Sequence, residues 1–194
     1  DIVYRNRRES VKAIICVNDE YVTTQVREAM SESPTVEVLV AVNALAQKDC
    51  PVAEGFHDWI AEWEKAPAFV RPEDVNVNED TMLMYFTSGT SGEPKMVAHD
   101  HLYALGHLVT GVFWHNLDED SIHLTVADTG WGKAVWGKLY GQWFAGATVF
   151  VYDHEKFSAE KIMRMMEKYR ITSFCAPPTI YRFMLQEDFS QYDL

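Results

Sequence analysis

Short apolar runs alternate with amphipathic stretches along almost the whole chain. This alternation limits the possible folds more than any other feature of the sequence. The runs "VKAIICV" (11–17), "TVEVLVAV" (35–42), "TMLMYF" (81–86), "SIHLTV" (121–126), "ATVFVY" (147–152) and "ITSFCA" (171–176) read as strands, rich in β-branched and aromatic residues. Between them, "DEYVTTQVREAM" (19–30), "EGFHDWIAEWEKA" (54–66), "KAVWGKLYGQWF" (133–144), "SAEKIMRMMEKYR" (158–170) and "PTIYRFMLQE" (178–187) read as helices. A further helix after Asp100 would carry Leu102, Leu105, Leu108, Val109 and Val112, with Asp100 as its cap. Several strands are apolar on both faces. The fold class expected is therefore α/β, a largely parallel sheet flanked by helices.

Finer expectations follow from the same periodicities. Phe56, Trp59, Ile60 and Trp63 fall on one helical face, so both Trp are expected in the core, and the helix should end before Pro67. Trp136 and Trp143 stand seven apart on one weak helix, interrupted by glycine, and are also expected to pack inward. Ser158 should cap a helix whose buried face carries Ile162, Met165, Met166 and Tyr169, and Pro178 should open the last one. The stretch "PAFVRPEDVNVNED" (67–80) has neither period and reads as a long loop. No internal repeat or low-complexity segment is visible.

Charge and cysteine usage remove some classes of function. The 194 residues carry 29 acidic and 17 basic side chains, a net charge of -12, which argues against a nucleic-acid partner. A local anion site remains open, because a loop of backbone N–H groups binds phosphate whatever the total charge. Cys16, Cys50 and Cys175 are odd in number and far apart, with no C-x-x-C pair, so a zinc site is not expected and no metal ligand is assigned. A reducing, cytoplasmic setting fits free thiols best. No run approaches the ~18 apolar residues of a membrane span.

One stretch stands out chemically. "TSGTSGEPK" (87–95) puts two Gly, four hydroxyls, one Pro and one Lys between two apolar runs. Glycine allows close backbone approach, hydroxyls add donors and Lys adds a compact positive charge, which together make an anion grip. The stretch does not match Walker A: its Gly residues are too close, Pro94 intervenes, and no Ser or Thr follows Lys95. A plain Gly/Ser/Thr hairpin would explain the same composition.

The stretch "YFTSGTSGEPKMVAHDH" closely resembles the phosphate-binding signature of the adenylate-forming (AMP-binding) enzymes, which include acyl-CoA synthetases, adenylation domains of peptide synthetases and luciferases. "ADTGWGKAVWGKLYGQWFAGATVFVYD" resembles the acyl-pocket region of acetyl- and medium-chain acyl-CoA synthetases, and "ITSFCAPPTIYRFMLQED" resembles the segment upstream of their adenine site. The resemblance covers the whole chain and is nearest to medium-chain acyl-CoA synthetases. It implies a partial N-terminal AMP-binding domain over residues 1–194, with ATP, Mg2+ and coenzyme A as cofactors and a small carboxylic acid as substrate.

By that resemblance, Thr87, Ser88, Thr90 and Ser91 would donate to the β- and γ-phosphates. Gly89 and Gly92 would permit close approach, Pro94 would stiffen the exit, and Lys95 would carry the catalytic charge. Glu93 belongs to the same loop and receives no chemistry. Trp131 and Gly132 would line the acyl slot, with Asp128 bracing the turn. Lys133 and Lys138 are expected in solvent, and His99, His101 and His107 in solvated or capping roles.

The family's Tyr-Gly-x-Thr-Glu and Thr-Gly-Asp motifs do not occur in the chain, and both ends read as cut. The chain is thus expected to be an excised piece, inactive alone. Two other readings stay open: an adenylation domain serving a carrier protein, and a non-catalytic nucleotide- or anion-binding homologue.

Overall fold

The computed structural model describes residues 1–44, 47–73, 75–87, 92–152, 154 and 156–194, the side chain of Trp136 excepted. The chain divides into two compact units, residues 1–72 and 73–194. Both are α/β with parallel strands, the fold class expected from the sequence.

In the first unit, α1 (Ile2–Glu9), β1 (Ala13–Val17), α2 (Glu20–Ala29), β2 (Val38–Val42), β3 (His57–Asp58) and α3 (Trp59–Lys65) follow in order. The three strands form one parallel sheet, β1-β2-β3, with Ala13 opposite Val38 and Val17 opposite Val42. Asp19 caps α2 by accepting from the Val22 N–H at 3.0 Å. Val26, Ala41 and Phe56 form the core, with Ile14, Cys16 and Leu39 packed around them. The opposite face of β1 carries Ile15 and Val17 in the open. This sheet is therefore covered on one face, where apolar residues on both had suggested two.

The expected helix over 54–66 is shorter than its periodicity. Asp58 accepts from the N–H groups of Ile60 (2.9 Å) and Ala61 (3.2 Å), which fixes the helix start at Trp59. Phe56 thus precedes the helix and enters the core, while Trp59 and Trp63 stay exposed, against expectation. A cap inside the periodic run broke the stripe into two parts.

In the second unit, β4 (Thr81–Thr87) and β5 (Lys95–Asp100) form an antiparallel hairpin. The helix α4 (Leu102–Val109) passes into a π-turn at Thr110–Trp114. Then come β6 (Ile122–Thr125), a helical run of α5 (Gly132–Val135), a π-turn (Trp136–Tyr140) and α6 (Gly141–Phe144), then β7 (Thr148–Phe150), α7 (Ala159–Tyr169), β8 (Ser173–Cys175) and α8 (Pro178–Met184). The parallel sheet runs β7-β6-β8, so β6 is its centre.

The two faces of β6 differ. Leu124 points into an apolar core with Ile162, Met163 and Met166 of α7 and Met184 of α8. Ser158 caps α7 as expected, through the Lys161 N–H. The buried stripe is rotated from the expected one: Met163 is fully buried, whereas Tyr169 is exposed. On the other face, His123 and Thr125 are buried in a polar layer.

Helix α4 departs furthest from its sequence pattern. Asp100 does receive the Leu102 N–H, at 3.0 Å. Yet Leu102, Leu105, Leu108 and Val109 face outward, while Tyr103 and His107 pack inward on aromatic neighbours. The reason is backbone proximity. A Cβ on Gly141 would lie 2.8 Å from His107 O and 3.1 Å from Gly111 Cα, so two glycines let these helices touch chain to chain. That contact orients α4 regardless of its leucines.

Candidate functional site

The hairpin β4–β5 places the ends of the "TSGTSGEPK" stretch. Thr87 and Lys95 are cross-strand partners, and the Thr87 hydroxyl donates to the Lys95 carbonyl at 3.3 Å. Gly92 adopts φ 95°, a left-handed conformation that glycine takes without strain. Glu93 is exposed and Pro94 half-buried. Ser88, Gly89, Thr90 and Ser91 lie outside the described residues. Lys95 is exposed, and among the described residues no carboxylate lies within ion-pair distance of it. The strands on either side of the stretch thus pair antiparallel, and Thr87 and Lys95 face each other across them.

The turn before α5 is built by Asp128. Its carboxylate accepts from the Gly130 N–H at 2.7 Å, and its carbonyl accepts from the Trp131 N–H at 3.1 Å. Bracing is therefore what Asp128 does. Trp131 is 72% exposed, which rules out a core role. Gly132 faces the hydroxyl end of the Tyr85 ring, with a built Cβ 3.8 Å from Tyr85 Cζ. Tyr85 sits on β4 two residues before Thr87, so it joins the strand leading to the loop with the Trp131–Gly132 turn.

Behind Tyr85 stands an aromatic cluster. Tyr103 lies 6.5 Å from Tyr85, 4.3 Å from His99, 4.6 Å from His107 and 6.4 Å from Tyr140, centroid to centroid. His99 and His107 are therefore ring-packed rather than solvated. Burial lowers the His107 pKa, with His99 adding to the effect. His101 carries a buried Nε2 with no hydrogen-bond partner among the described residues. Burial raises the Tyr85 phenol to about 12, aided by the neighbouring phenols of Tyr103 and Tyr140. Trp143 is exposed despite its expected core role, and Trp136's side chain lies outside the description. Lys138 is half-buried rather than solvated, and burial lowers its pKa.

The sequence reading missed a second polar cluster. His123 meets Ser173 Oγ through Nδ1 (2.8 Å) and Thr125 Oγ1 through Nε2 (2.7 Å). His115 stacks on His123 at 4.7 Å, and Gln142 Nε2 donates to its Nδ1 at 3.2 Å and to the Gly137 carbonyl at 2.8 Å. Burial drives the His123 pKa down to about 4, with His115 adding to the effect. The available signal was the i, i+2 pairing of His123 and Thr125 inside "SIHLTV". It marks one strand face as polar.

Among the described residues, no group of three His, Cys, Asp or Glu is placed to hold a metal ion, and no helix is long and apolar enough to cross a membrane. The three cysteines are free.

Comparison with known proteins shows the family and the fold. The model of the family "AMP-binding enzyme" matches residues 1–194. The human acyl-coenzyme A synthetase ACSM4, mitochondrial, is 31% identical over 99% of this chain and 32% of its own length. Human ACSM5, also named mitochondrial, is 32% identical over 99% of this chain and 32% of its length. Human ACSM3 is 40% identical over 59% of this chain and 20% of its length. The chain therefore spans at most about a third of these relatives. The fold is shared with the anthranilate CoA ligase AuaEII, solved with anthranoyl-AMP (TM-score 0.83, 22% identity, all of this chain and 36% of that one). It is also shared with a Brucella canis acyl-CoA synthetase (TM-score 0.73, 21% identity, 95% of this chain and 32% of that one).

Proposed function

This chain belongs to the AMP-binding enzyme family, and from that premise we propose that it is part of an ATP-dependent acid–thiol ligase acting on a carboxylic (fatty) acid. The acid's carboxylate oxygen attacks the α-phosphorus of ATP, and pyrophosphate leaves. The sulfur of coenzyme A then attacks the acyl carbon, and AMP leaves. The first step brings an anion against a polyanion, so fixed positive charge and N–H donors at the leaving pyrophosphate would lower its barrier.

The observation that carries this reading is the paired ends of β4 and β5. Thr87 and Lys95 sit opposite each other where the loop opens, with Gly92 in a left-handed turn beside them. In this role Lys95 neutralises the leaving phosphates, and the loop residues Ser88 to Ser91 supply further donors. Mg2+ would enter on the nucleotide, whose phosphates carry its oxygen ligands. Trp131 and Gly132 form the mouth of the acyl slot, one offering an exposed flat ring and the other leaving space against Tyr85. We take residues 1–194 as a single piece of the AMP-binding domain.

The test uses a full-length protein carrying this chain. Lys95→Ala should lower acid-dependent pyrophosphate release about a hundredfold while acid binding changes little. Equal losses in both would count against a phosphate role. The 194-residue chain alone should release no pyrophosphate, and measurable release would show that the proposal has misplaced the catalytic parts.

The relatives' names favour coenzyme A as acceptor over a carrier protein. Thioester formation on coenzyme A but not on a pantetheinyl carrier would separate these readings. Absence of acyl-adenylate with every acid tried would favour a nucleotide-binding homologue. Free thiols fit a reducing compartment, so we propose a cytoplasmic location. The relatives are named mitochondrial, and cell fractionation would decide between the two.

A further inference from the structure

The helical run 132–144 is tied to the centre of its sheet at one backbone atom. Gly137 lies in the π-turn Trp136–Tyr140, where backbone hydrogen bonds span five residues instead of four, and such turns recur at functional sites. Three side chains converge on the Gly137 carbonyl. Thr125 Oγ1 donates to it, Gln142 Nε2 donates at 2.8 Å, and His123 Nε2 reaches it at 3.3 Å. Ser173 of β8 holds His123 from behind, through Nδ1 at 2.8 Å. His123, Thr125 and Gln142 are all buried.

Packing alone does not call for this clamp. On the other face of β6, Leu124 meets α7 and α8 through apolar side chains. Apolar layers let a helix repack, whereas a buried polar network specifies one arrangement. The position so specified matters at the start of α5. There a Cβ built on Gly132 would be 3.8 Å from Tyr85 Cζ on β4. Asp128 braces the turn before α5, and the Gly137 carbonyl anchors the chain just past its other end. A shift of the run along its axis therefore changes the gap between Gly132 and Tyr85. Displacing a substrate-positioning group by about 1 Å can cost about a hundredfold in rate.

We propose that Thr125, Gln142 and His123 are positioning residues: by holding the Gly137 carbonyl they set how far Gly132 stands from Tyr85, and so the length of acid that the slot accepts. This deepens the acid–thiol ligase reading and rests on it. None of the three touches the acid, and each acts through the backbone of the run that carries Gly132.

The experiment measures kcat/KM for acid-dependent pyrophosphate release with butanoate, hexanoate and octanoate, on a full-length protein carrying this chain. Thr125→Val keeps the shape of the side chain and removes its donor. It should change the ratios among the three acids about tenfold and leave the KM for ATP unchanged. Gln142→Met removes the second donor and should also change the ratios. Thr125→Ser keeps the hydroxyl and should keep the native ratios. A lowered denaturant midpoint with unchanged ratios in Thr125→Val, or ratios altered as much in Thr125→Ser, would overturn the inference while the ligase reading stands. Failure of both Thr125→Val and Gln142→Met to fold would also overturn it, since the clamp would then serve the fold alone. If only Thr125→Val fails to fold, Gln142→Met decides by the same ratios. No pyrophosphate release by the native protein with any acid would defeat the ligase reading and this inference with it.

Discussion

The two faces of β6 bury comparable layers by opposite means. Toward α7 and α8 the contacts are apolar and interchangeable in kind: Leu124, Ile162, Met163, Met166 and Met184. Toward the helical run 132–144 they are directional: His123 bonds Thr125 and Ser173, Gln142 bonds His115 and the Gly137 carbonyl, and Gly111 meets Gly141 backbone to backbone. An apolar layer tolerates changes of shape and loses stability in proportion to volume removed. A polar layer with helices in backbone contact has no slack for added volume, and it adds a dependence on pH.

Four measurements would break or sharpen this contrast. The largest effect should come from Gly141→Ala, whose methyl would stand 2.8 Å from His107 O with only backbone around it. We expect a loss of about 3 kcal/mol or more, read as failure to accumulate folded protein or as a large fall in denaturant midpoint. Met163→Ala, on the apolar side, should cost about 2–5 kcal/mol without abolishing the fold. If it proved the more damaging of the two, the backbone contact would matter less than its geometry implies.

Acidification should then separate the faces. His123 is held neutral, at about 4 against an ordinary 6.5, and His115 is lowered in the same direction. As pH falls below 6.5 the unfolded chain takes up protons first, so stability declines until about pH 4 and then levels off for this group. The contribution from His123 is about 3 kcal/mol at most. Denaturant midpoints at pH 7, 5.5 and 4 should fall in that order, and less steeply in His123→Gln. The smallest effect should be Trp131→Ala. Its side chain is exposed, so stability should stay within about 0.5 kcal/mol, while the Km for the acid rises under the proposed function.

The same contrast explains what could be read from the sequence. Helix α7 was legible because its cap, Ser158, and its apolar stripe agree, and the buried stripe lies three positions earlier, on Ala159, Ile162, Met163 and Met166. Helix α4 was misread because its leucines suggested a buried face. The deciding contact comes from two glycines thirty positions apart, a pairing that periodicity does not contain. Trp59, Trp63 and Trp143 failed for a related reason: a spacing says which residues share a face, not whether that face is covered. The strands flanking the loop and the brace Asp128 were legible, since local turn chemistry sets them.

The hydrogen bonds around His123 have a spectroscopic consequence. With the proton on Nδ1, the ring donates to Ser173, Ser173 passes its own proton to the His115 carbonyl, and Thr125 donates to Nε2. With the proton on Nε2, the ring donates to Thr125, Thr125 donates to the Gly137 carbonyl, and Ser173 donates to Nδ1. The second tautomer makes one bond more with the heavy atoms in the same places, because only a protonated Nε2 can also donate to the Gly137 carbonyl, at 3.3 Å. The ring proton therefore belongs on Nε2, and the two nitrogen-15 resonances should stay apart at neutral pH, pyrrole-like for Nε2 and pyridine-like for Nδ1.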